Sequence, residues 1–278
     1  MNKKLLLCFR EFIAAALNRR KLFKARAPNA TGVDATSVVV FQNEGWCPIC
    51  EARVTFSARN SWFRDHYLCD RCGSIPRERA LMHVIQTRYP NWRDLTIHES
   101  SPGNRGASVK LAQQCRSYTA SQYDPQLGFG NTHPTAGYRS ENLENQTFSD
   151  KAFDLVVTQD VFEHIFDAPV AFMEIARTLR PGGAHIFTTP LVNKDKPSER
   201  WASISDAGIV YHHPPEYHGN PMSVEGSLVT WHWGEDIVTY IKNASGLDTQ
   251  VVALDDLKMG IRAEYIEVLV TTRPIEAR

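Results

Sequence analysis

A continuous apolar segment followed by an amphipathic one constrains the fold of this chain more than any other stretch. Residues 153–158 (FDLVVT) are almost entirely apolar, which is typical of a strand buried on both faces of a parallel sheet. Apolar residues then recur at helical spacing over residues 168–179, with Asp167 as the predicted N-cap. Pro181-Gly182-Gly183 is expected to end this helix, and residues 184–189 are predicted to form the next strand. A strand, a helix and a second strand in this order predict a right-handed crossover in an open α/β sheet.

The wider pattern of residues 153–190, FDLV…EH…RTLRPGG…P, resembles the middle of class I S-adenosylmethionine (SAM)-dependent methyltransferases of the methyltransferase-11 type. The resemblance implies a doubly wound, Rossmann-like α/β domain with a mostly parallel seven-stranded sheet and an antiparallel last strand. It also implies SAM as the cofactor and methyl transfer as the reaction. Ligands of such sheets bind beyond the carboxyl ends of the strands, so the residues that follow the strands are candidates for the site.

The resemblance covers about residues 94–273 and implies a set of cofactor-binding residues. In the family, the first strand ends in an acidic residue and a glycine-rich loop lets the backbone approach the cofactor. Glu99 takes the acidic position here, although Ser100-Ser101-Pro102 replaces the usual glycines. The remaining loop residues, and the residues that follow the second, third and fourth strands, are Ser101, Gly103, Gly106, Gln122 or Asp124, Asn142, Leu143 and Gln159.

Two Cys-x-x-Cys pairs, Cys47/Cys50 and Cys69/Cys72, form the second strong motif of the sequence. Zn²⁺ takes four sulfur ligands in a tetrahedron, and the separation between the pairs is in the range of zinc ribbons. We therefore expect a zinc-ribbon module over residues 41–75 with a closed, structural site; a redox dithiol is the alternative. Four aromatic residues between the pairs are expected to form the core of the module, or else a surface that recognises the substrate: Phe56, Trp62, Phe63 and Tyr67. Ser74, directly after the second pair, is the predicted N-cap of a helix that runs to about Arg88.

The first 26 residues hold eight lysines and arginines and a single glutamate, whereas the whole chain has a formal net charge of zero. Residues 2–24 have the pattern of a basic amphipathic helix. We expect it to pack on its own protein or on a dimer partner; a peripheral membrane contact is the alternative. The neutral balance argues against an obligate nucleic-acid binder. Paired cysteines without a signal peptide or a long apolar segment predict a cytoplasmic protein.

Residues 192–233 are rich in proline, histidine and aromatic residues and are predicted to be an insertion that builds the substrate pocket. Histidine is the natural base near neutral pH, so His213 and His218 in this insertion are catalytic candidates. His164 in the Glu-His pair and Asp160 at the strand end are the other two. Metal binding and plain packing are the alternatives for the insertion, whose metal-capable residues are His212, His213, Glu216, His218 and His232.

Three parts follow from these patterns: a basic helix and linker over residues 1–40, a zinc ribbon over residues 41–75 and a methyltransferase domain over residues 76–278. The expected reaction is methyl transfer to an oxygen or nitrogen of a small polar acceptor, such as a sugar or another metabolite. One alternative is an RNA methyltransferase whose zinc module recognises RNA. A scaffold that binds SAM or a partner protein without catalysis is another, because the glycines of the first loop are replaced.

Overall fold

The computed structural model describes residues 38–220 and 223–276. The helix predicted for residues 2–24 lies outside these ranges. The described chain begins with a three-stranded antiparallel sheet in the order β1-β2-β3. Its elements are β1 (Phe41–Cys47), β2 (Ala52–Ala58), the short helix α1 (Phe63–His66) and β3 (Tyr67–Cys69). One cysteine of each pair ends a strand, Cys47 in β1 and Cys69 in β3, and residues 41–75 are called the ribbon below, after the predicted zinc ribbon.

The ribbon packs directly on the rest of the chain through a buried arginine. Arg79 is inaccessible to solvent, and its Nε donates to the carbonyl oxygen of Gly260 at 2.9 Å. Its two other nitrogens donate to the carbonyl oxygens of Tyr67 and Ser74, and the guanidinium lies 4.7 Å from the ring centre of Phe56. A buried cation is costly unless its donors are paired, so these contacts fix the ribbon against the loop at Gly260.

The aromatic residues of the ribbon are mostly core residues, as the first of the two alternatives predicts. Phe56 and Tyr67 are fully buried and Phe63 packs against them. Trp62 is 43% exposed, and its indole N–H donates to Asp65.

Helix α2 (Pro76–Arg88) follows the ribbon and begins differently from the sequence prediction. Ser74 is the obvious capping residue, but the N-cap is Ile75, and the Glu78 carboxylate accepts the backbone N–H of Ile75 at 3.1 Å. The Ser74 hydroxyl is used elsewhere, since it contacts the Cys72 sulfur at 3.1 Å and Arg79 Nη1 at 3.2 Å. The prediction of a Ser74 cap was wrong because the cysteine cluster and Arg79 occupy that side chain.

The main sheet has seven strands, which in spatial order are β15 (Asp248–Val252), β16 (Val268–Thr272), β8 (Leu179–Thr188), β7 (Phe153–Gln159), β4 (Thr96–Ser100), β5 (Ser117–Gln122) and β6 (Arg139–Ser140). Strands β4 to β8 are parallel, and β16 runs antiparallel to both of its neighbours. This confirms the predicted Rossmann-like sheet with a reversed last strand. The elements up to β8 are β4 (Thr96–Ser100), α3 (Gly106–Gln114), β5 (Ser117–Gln122), β6 (Arg139–Ser140), β7 (Phe153–Gln159), α4 (Ala168–Thr178) and β8 (Leu179–Thr188).

The central crossover forms as predicted at its start and differs at its end. Asp167 caps α4 by accepting the backbone N–H of Val170. The helix stops at Thr178, and Pro181-Gly182-Gly183 lies inside β8 instead of ending the helix. Gly182 takes a positive φ of 81°, and its N–H donates to the carbonyl of Arg273, so the glycines form an irregular strand segment that pairs with the chain end.

Residues 192–233 fold into three small antiparallel pairs, β9 with β14, β10 with β11 and β12 with β13. A helix and two sheet strands then complete the chain, and Gly246 ends the helix in the left-handed conformation. In the part of the chain that the structure describes, no helix is long and apolar enough to span a bilayer. The elements are β9 (Glu199–Arg200), β10 (Ala202–Ser205), β11 (Gly208–Tyr211), β12 (Tyr217–Asn220), β13 (Ser223–Leu228), β14 (Trp231–His232), α5 (Ile237–Ser245), β15 (Asp248–Val252) and β16 (Val268–Thr272).

Two neutral histidines inside the sheet should make the fold sensitive to acid. His98 Nε2 lies 2.8 Å from Ser121 Oγ, and His185 Nε2 lies 3.0 Å from Thr158 Oγ1. Burial lowers the pKa of each imidazole to about 3. The unfolded chain takes up these protons below about pH 6.5 and the folded chain does not, so stability falls as the pH drops through that window.

We expect the free energy of unfolding to fall by about 2 kcal/mol per histidine between pH 7 and pH 5. The variant His185→Gln keeps a polar group beside Thr158 but does not titrate, so it should lose about 2 kcal/mol less than the parent over the same interval. Urea unfolding at both pH values measures this difference. Identical losses in parent and variant would contradict the assignment.

Candidate cofactor and acceptor site

Glu99, at the carboxyl end of β4, joins three neighbouring elements. Its carboxylate is buried and accepts hydrogen bonds from Ser108 Oγ at 2.6 Å, Tyr118 OH at 2.8 Å and Gln159 Nε2 at 2.9 Å. These donors come from α3, β5 and β7. Burial raises the pKa of Glu99, and the three hydrogen bonds oppose that shift. The structure therefore brings the predicted residues Glu99 and Gln159 together, with Ser108 and Tyr118 as partners that the sequence did not indicate.

The loop after β4 contains two glycines, of which one has free space beside its Cα and the other does not. Ser101 has a φ of 55°, a conformation that costs a non-glycine residue some strain. Gly103 is exposed, and an added Cβ there would meet only Ser108 Oγ, at 3.7 Å. At Gly106 the space for a Cβ is filled by the Glu78 side chain of α2. Gly103 is thus exposed to a ligand, with its backbone N–H donated to Ser108 Oγ at 3.0 Å, whereas Gly106 permits close packing of α2 on the loop.

Gln122 and Asp124, the two candidates after β5, have different surroundings. Asp124 accepts a hydrogen bond from Tyr138 OH at 2.8 Å, and its backbone carbonyl accepts one from Ser140 Oγ at 2.6 Å. It therefore organises the loop that leads to β6. Gln122 is half-buried, and its side-chain amide has no hydrogen bond to another described residue. Of the pair, Gln122 has the side chain available to bind a ribose hydroxyl.

Asn142 and Leu143 follow β6 at the same edge of the sheet. The Asn142 side-chain oxygen accepts the backbone N–H of Glu144 at 3.0 Å, which leaves its amide hydrogens unused among the described residues. Leu143 is 5% exposed and belongs to the apolar core that includes Phe153 and Val156. Leu143 therefore supports this region mainly from within the core.

Asp160, directly after β7, is held by two arginines that the sequence did not connect with it. Its Oδ2 lies 2.7 Å from Arg64 Nη2 and 2.9 Å from Arg77 Nε, and its Oδ1 accepts a hydrogen bond from Thr188 Oγ1 at 3.0 Å. Burial alone would raise the pKa of Asp160, but the charges of Arg77 and Arg64 bring it below its ordinary value. Asp160 is thus an ionised, fully paired carboxylate and is a poor proton acceptor.

Glu163 and His164 lie in a short 3-10 helix, Phe162–His164, next to that edge. Glu163 is buried; its Oε2 accepts a hydrogen bond from Thr189 Oγ1 at 2.9 Å, and burial raises its pKa to about 8. His164 Nδ1 lies 2.9 Å from the carbonyl oxygen of Leu228, and its ring centre is 5.1 Å from that of His218. The structure therefore joins the predicted candidates His164 and His218 across two distant parts of the chain.

The insertion supplies a connected group of imidazoles and carboxylates. Glu216 lies 3.1 Å from His218 Nε2 through one oxygen and 3.0 Å from His232 Nε2 through the other. The Trp201 ring stacks on His232 at 3.7 Å and on His213 at 4.0 Å. His213, the fourth catalytic candidate, is paired with Glu199 at 2.9 Å on the far side of Trp201. His213 is therefore separated from the His164–His218 pair by Trp201, His232 and Glu216.

The four cysteines of the ribbon form one cluster. The sulfurs of Cys47 and Cys72 are 3.8 Å apart, as are those of Cys50 and Cys69, and all four lie within 4.8 Å of one another. A tetrahedron with metal–sulfur bonds of about 2.3 Å has edges of about 3.8 Å, so the cluster has the dimensions of a zinc site. Cys115 is buried elsewhere, and its sulfur contacts the carbonyl oxygen of Leu95.

Part of this site lies in a segment of the sequence that matches a known family. Residues 99–187, which run from Glu99 through β8, match the sequence model described as a methyltransferase domain. They include the whole of β5, β6 and β7 and part of β4 and β8, which are the parallel strands of the main sheet. Residues 99–187 thus belong to a methyltransferase domain. No curated protein matches the sequence.

The chain is similar, at low sequence identity, to several solved structures. One is a SAM-dependent methyltransferase from Mesorhizobium loti, with 15% identity, 70% of this chain and 97% of that chain covered, and a TM-score of 0.46. A second is from Methanosarcina mazei, with 14% identity, coverages of 67% and 97%, and a TM-score of 0.39. A third is a 1,6-didemethyltoxoflavin-N1-methyltransferase from Burkholderia thailandensis, with 14% identity, coverages of 72% and 79%, and a TM-score of 0.43. Similarities this weak carry no argument about the acceptor of this chain.

Proposed function

We propose that the methyltransferase domain transfers the methyl group of SAM to an oxygen or nitrogen of a small polar acceptor, such as a sugar. The observation that supports this acceptor class is the polar group formed by the insertion beside the sheet edge. His164 and His218 lie next to each other there, and Glu216 and His232 extend the polar surface. Imidazoles and carboxylates suit the hydrogen-bonding groups of a hydroxylated metabolite and can take up its proton.

The cofactor side of the proposal uses the edge formed by β4, β5 and β7. Gly103 offers accessible backbone, and Gln122 offers a side-chain amide for the ribose hydroxyls. Glu99 and Gln159 position the loop at its base, and Asn142 has unused amide hydrogens beyond β6. When SAM is bound there, it supplies an activated methyl group. The chain's own residues bind the cofactor, orient the acceptor and accept its proton.

The ribbon has two roles in this proposal. Its four cysteines hold Zn²⁺ as a structural ion, because all four ligand positions of a tetrahedral site are filled by sulfur. Its neighbouring arginines Arg64 and Arg77 then hold Asp160 at the site edge. Arginines committed to Asp160 and to buried carbonyls are not available to phosphates, which favours a small acceptor over RNA for this surface. A partner or membrane contact of residues 2–24 and a cytoplasmic location remain predictions.

Methylation assays with separated acceptor pools test the proposed function. We expect the protein and SAM to produce S-adenosylhomocysteine (SAH) with a pool of sugars and other hydroxylated metabolites and not with total RNA. Gln122→Ala should weaken SAH binding about tenfold in calorimetric titration, the effect of losing about 1.4 kcal/mol of hydrogen bonding. Methylated RNA would favour the RNA alternative, and SAH binding without turnover in any pool would favour the scaffold alternative.

A further inference from the structure

Three potential metal ligands converge at the end of β7, apart from the cysteine cluster. One ligand atom from each of Glu163, His164 and His218 lies within 4.8 Å of the other two. Glu163 is 2% exposed, and its Oε1 has no hydrogen-bond partner among the described residues; His164 Nε2 is 3.9 Å away from it. A buried carboxyl oxygen without a partner is costly, and a cation bound beside it would satisfy it.

The hydrogen bonds of the two histidines define which of their nitrogens are free to coordinate. A carbonyl oxygen only accepts, so His164 Nδ1, 2.9 Å from the carbonyl of Leu228, carries the hydrogen and Nε2 keeps its lone pair. His218 Nε2 lies 3.1 Å from the Glu216 carboxylate, so that nitrogen donates and Nδ1 keeps its lone pair. Each ring thus keeps one nitrogen lone pair, and one ligand atom of each ring lies within 4.8 Å of a Glu163 oxygen, an arrangement that a cation stabilises.

The hydrogen bonds that hold these histidines are of the kind that hold metal-binding histidines in proteins. Metal-binding histidines typically donate their second N–H to a carbonyl or a carboxylate, which fixes the ring. His164 does so to a carbonyl and His218 to Glu216. Glu216 is in turn held by His232, whose ring stacks on Trp201. Each ring is therefore positioned by a hydrogen bond to a group other than the second histidine.

We propose that Glu163, His164 and His218 bind a divalent first-row transition-metal ion. Two nitrogens and one carboxylate oxygen suit such ions, and three protein ligands leave coordination positions open. Its role, unlike the binding itself, rests on the proposed function. A hydroxyl of the acceptor at an open position would have a lowered pKa, so with the ion bound its proton would pass to solvent, whereas without the ion the imidazoles accept it as proposed above.

Cobalt binding tests this site without any assay of methyl transfer. The full-length protein is dialysed against a weak chelator, equilibrated with CoCl₂ and analysed for zinc and cobalt by mass spectrometry. We expect about one Co²⁺ per chain at the new site, with weak visible bands and without the intense thiolate bands of a cysteine site. His218→Ala should lose this ion, and Glu216→Gln should weaken its binding about tenfold.

His212→Ala is the matched control, since it removes an imidazole of the same insertion that contacts only Ser203 among the contacts described for its side chain. It should bind Co²⁺ like the parent. Glu163→Gln, which keeps the size of the buried side chain, provides a second test if His218→Ala does not fold. Equal Co²⁺ binding by the parent and both ligand variants, or cobalt found only with thiolate bands, would overturn the proposal. Cobalt binding by a chain that methylates nothing would count against the proposed function alone.

Discussion

Cys69→Ser is expected to release the zinc ion and to lower the free energy of unfolding by about 4–5 kcal/mol, the range in which loss of a structural metal places single substitutions. Serine is a poor ligand for zinc in a four-sulfur site, and Cys69 is almost completely buried beside Cys50. The substitution leaves three sulfurs and a hydroxyl around a site that has the dimensions of a tetrahedral zinc–sulfur centre. Metal content measured by mass spectrometry and unfolding in urea give the two readouts.

The loss should extend beyond the ribbon because a chain of contacts leads from the cysteines to the methyltransferase domain. Ser74 touches Cys72 and Arg79, and Arg79 donates to the carbonyl of Gly260. Four thiolates around Zn²⁺ carry a net negative charge, which a buried guanidinium such as that of Arg79 offsets. Without the zinc–thiolate centre, the Arg79 guanidinium loses its counter-charge. The contacts of Arg79 that hold the ribbon against Gly260 are then weakened. We therefore expect SAH affinity to fall together with zinc content.

Cys115→Ser is the control for this prediction. Cys115 is as buried as Cys69, yet its sulfur contacts backbone carbonyls and not the cluster. This variant should keep the zinc content and the SAH affinity of the parent. A Cys69→Ser protein with the parental zinc content would show that the cluster does not hold the metal.

How much of the fold the sequence could predict depends on how local each signal is. The helix α4 and the strand β7 follow from periodicity and capping within a few residues, and both form as predicted. The prediction that Pro181-Gly182-Gly183 ends the helix was wrong, because the same residues also permit an irregular strand. Which of the two forms depends on pairing with the distant Arg273. Ser74 misled for a similar reason, since its hydroxyl is taken by the cysteine cluster.

The candidate site was less predictable than the fold, because more of its contacts join residues that are far apart in the sequence. Motif positions singled out Glu99, Gln159 and His164 because each lies at or soon after the end of a strand in a recognisable pattern. The pairing of Asp160 with Arg64 and Arg77 has no comparable signal, since these residues are brought together only when the ribbon packs on the sheet. The burial of Glu163 and its approach to His218 likewise depend on the path of the insertion. Charge pairs and clusters between distant segments are set by packing, which a single sequence does not specify.

Glu99→Ala is expected to weaken SAH binding by at least about 100-fold, or about 2.7 kcal/mol. The carboxylate is the common acceptor for Ser108, Tyr118 and Gln159, which belong to three different elements around the cofactor loop. Removing it leaves buried donors unpaired, so the free energy of unfolding should also fall by about 1–3 kcal/mol while the chain remains folded. Calorimetric titration with SAH and urea unfolding separate the two effects.

Tyr118→Phe distinguishes loss of the carboxylate from general destabilisation. It removes one of the three donors to Glu99 and keeps the carboxylate, so it should cost about 1 kcal/mol of stability with little change in SAH affinity. Glu99→Gln keeps the volume of the side chain but replaces an acceptor oxygen with a donor, and it should weaken SAH binding almost as much as alanine does. If both Glu99 variants bound SAH like the parent, the cofactor would have to lie away from the end of β4, and the same titration with Gln122→Ala would show whether it still lies near the end of β5.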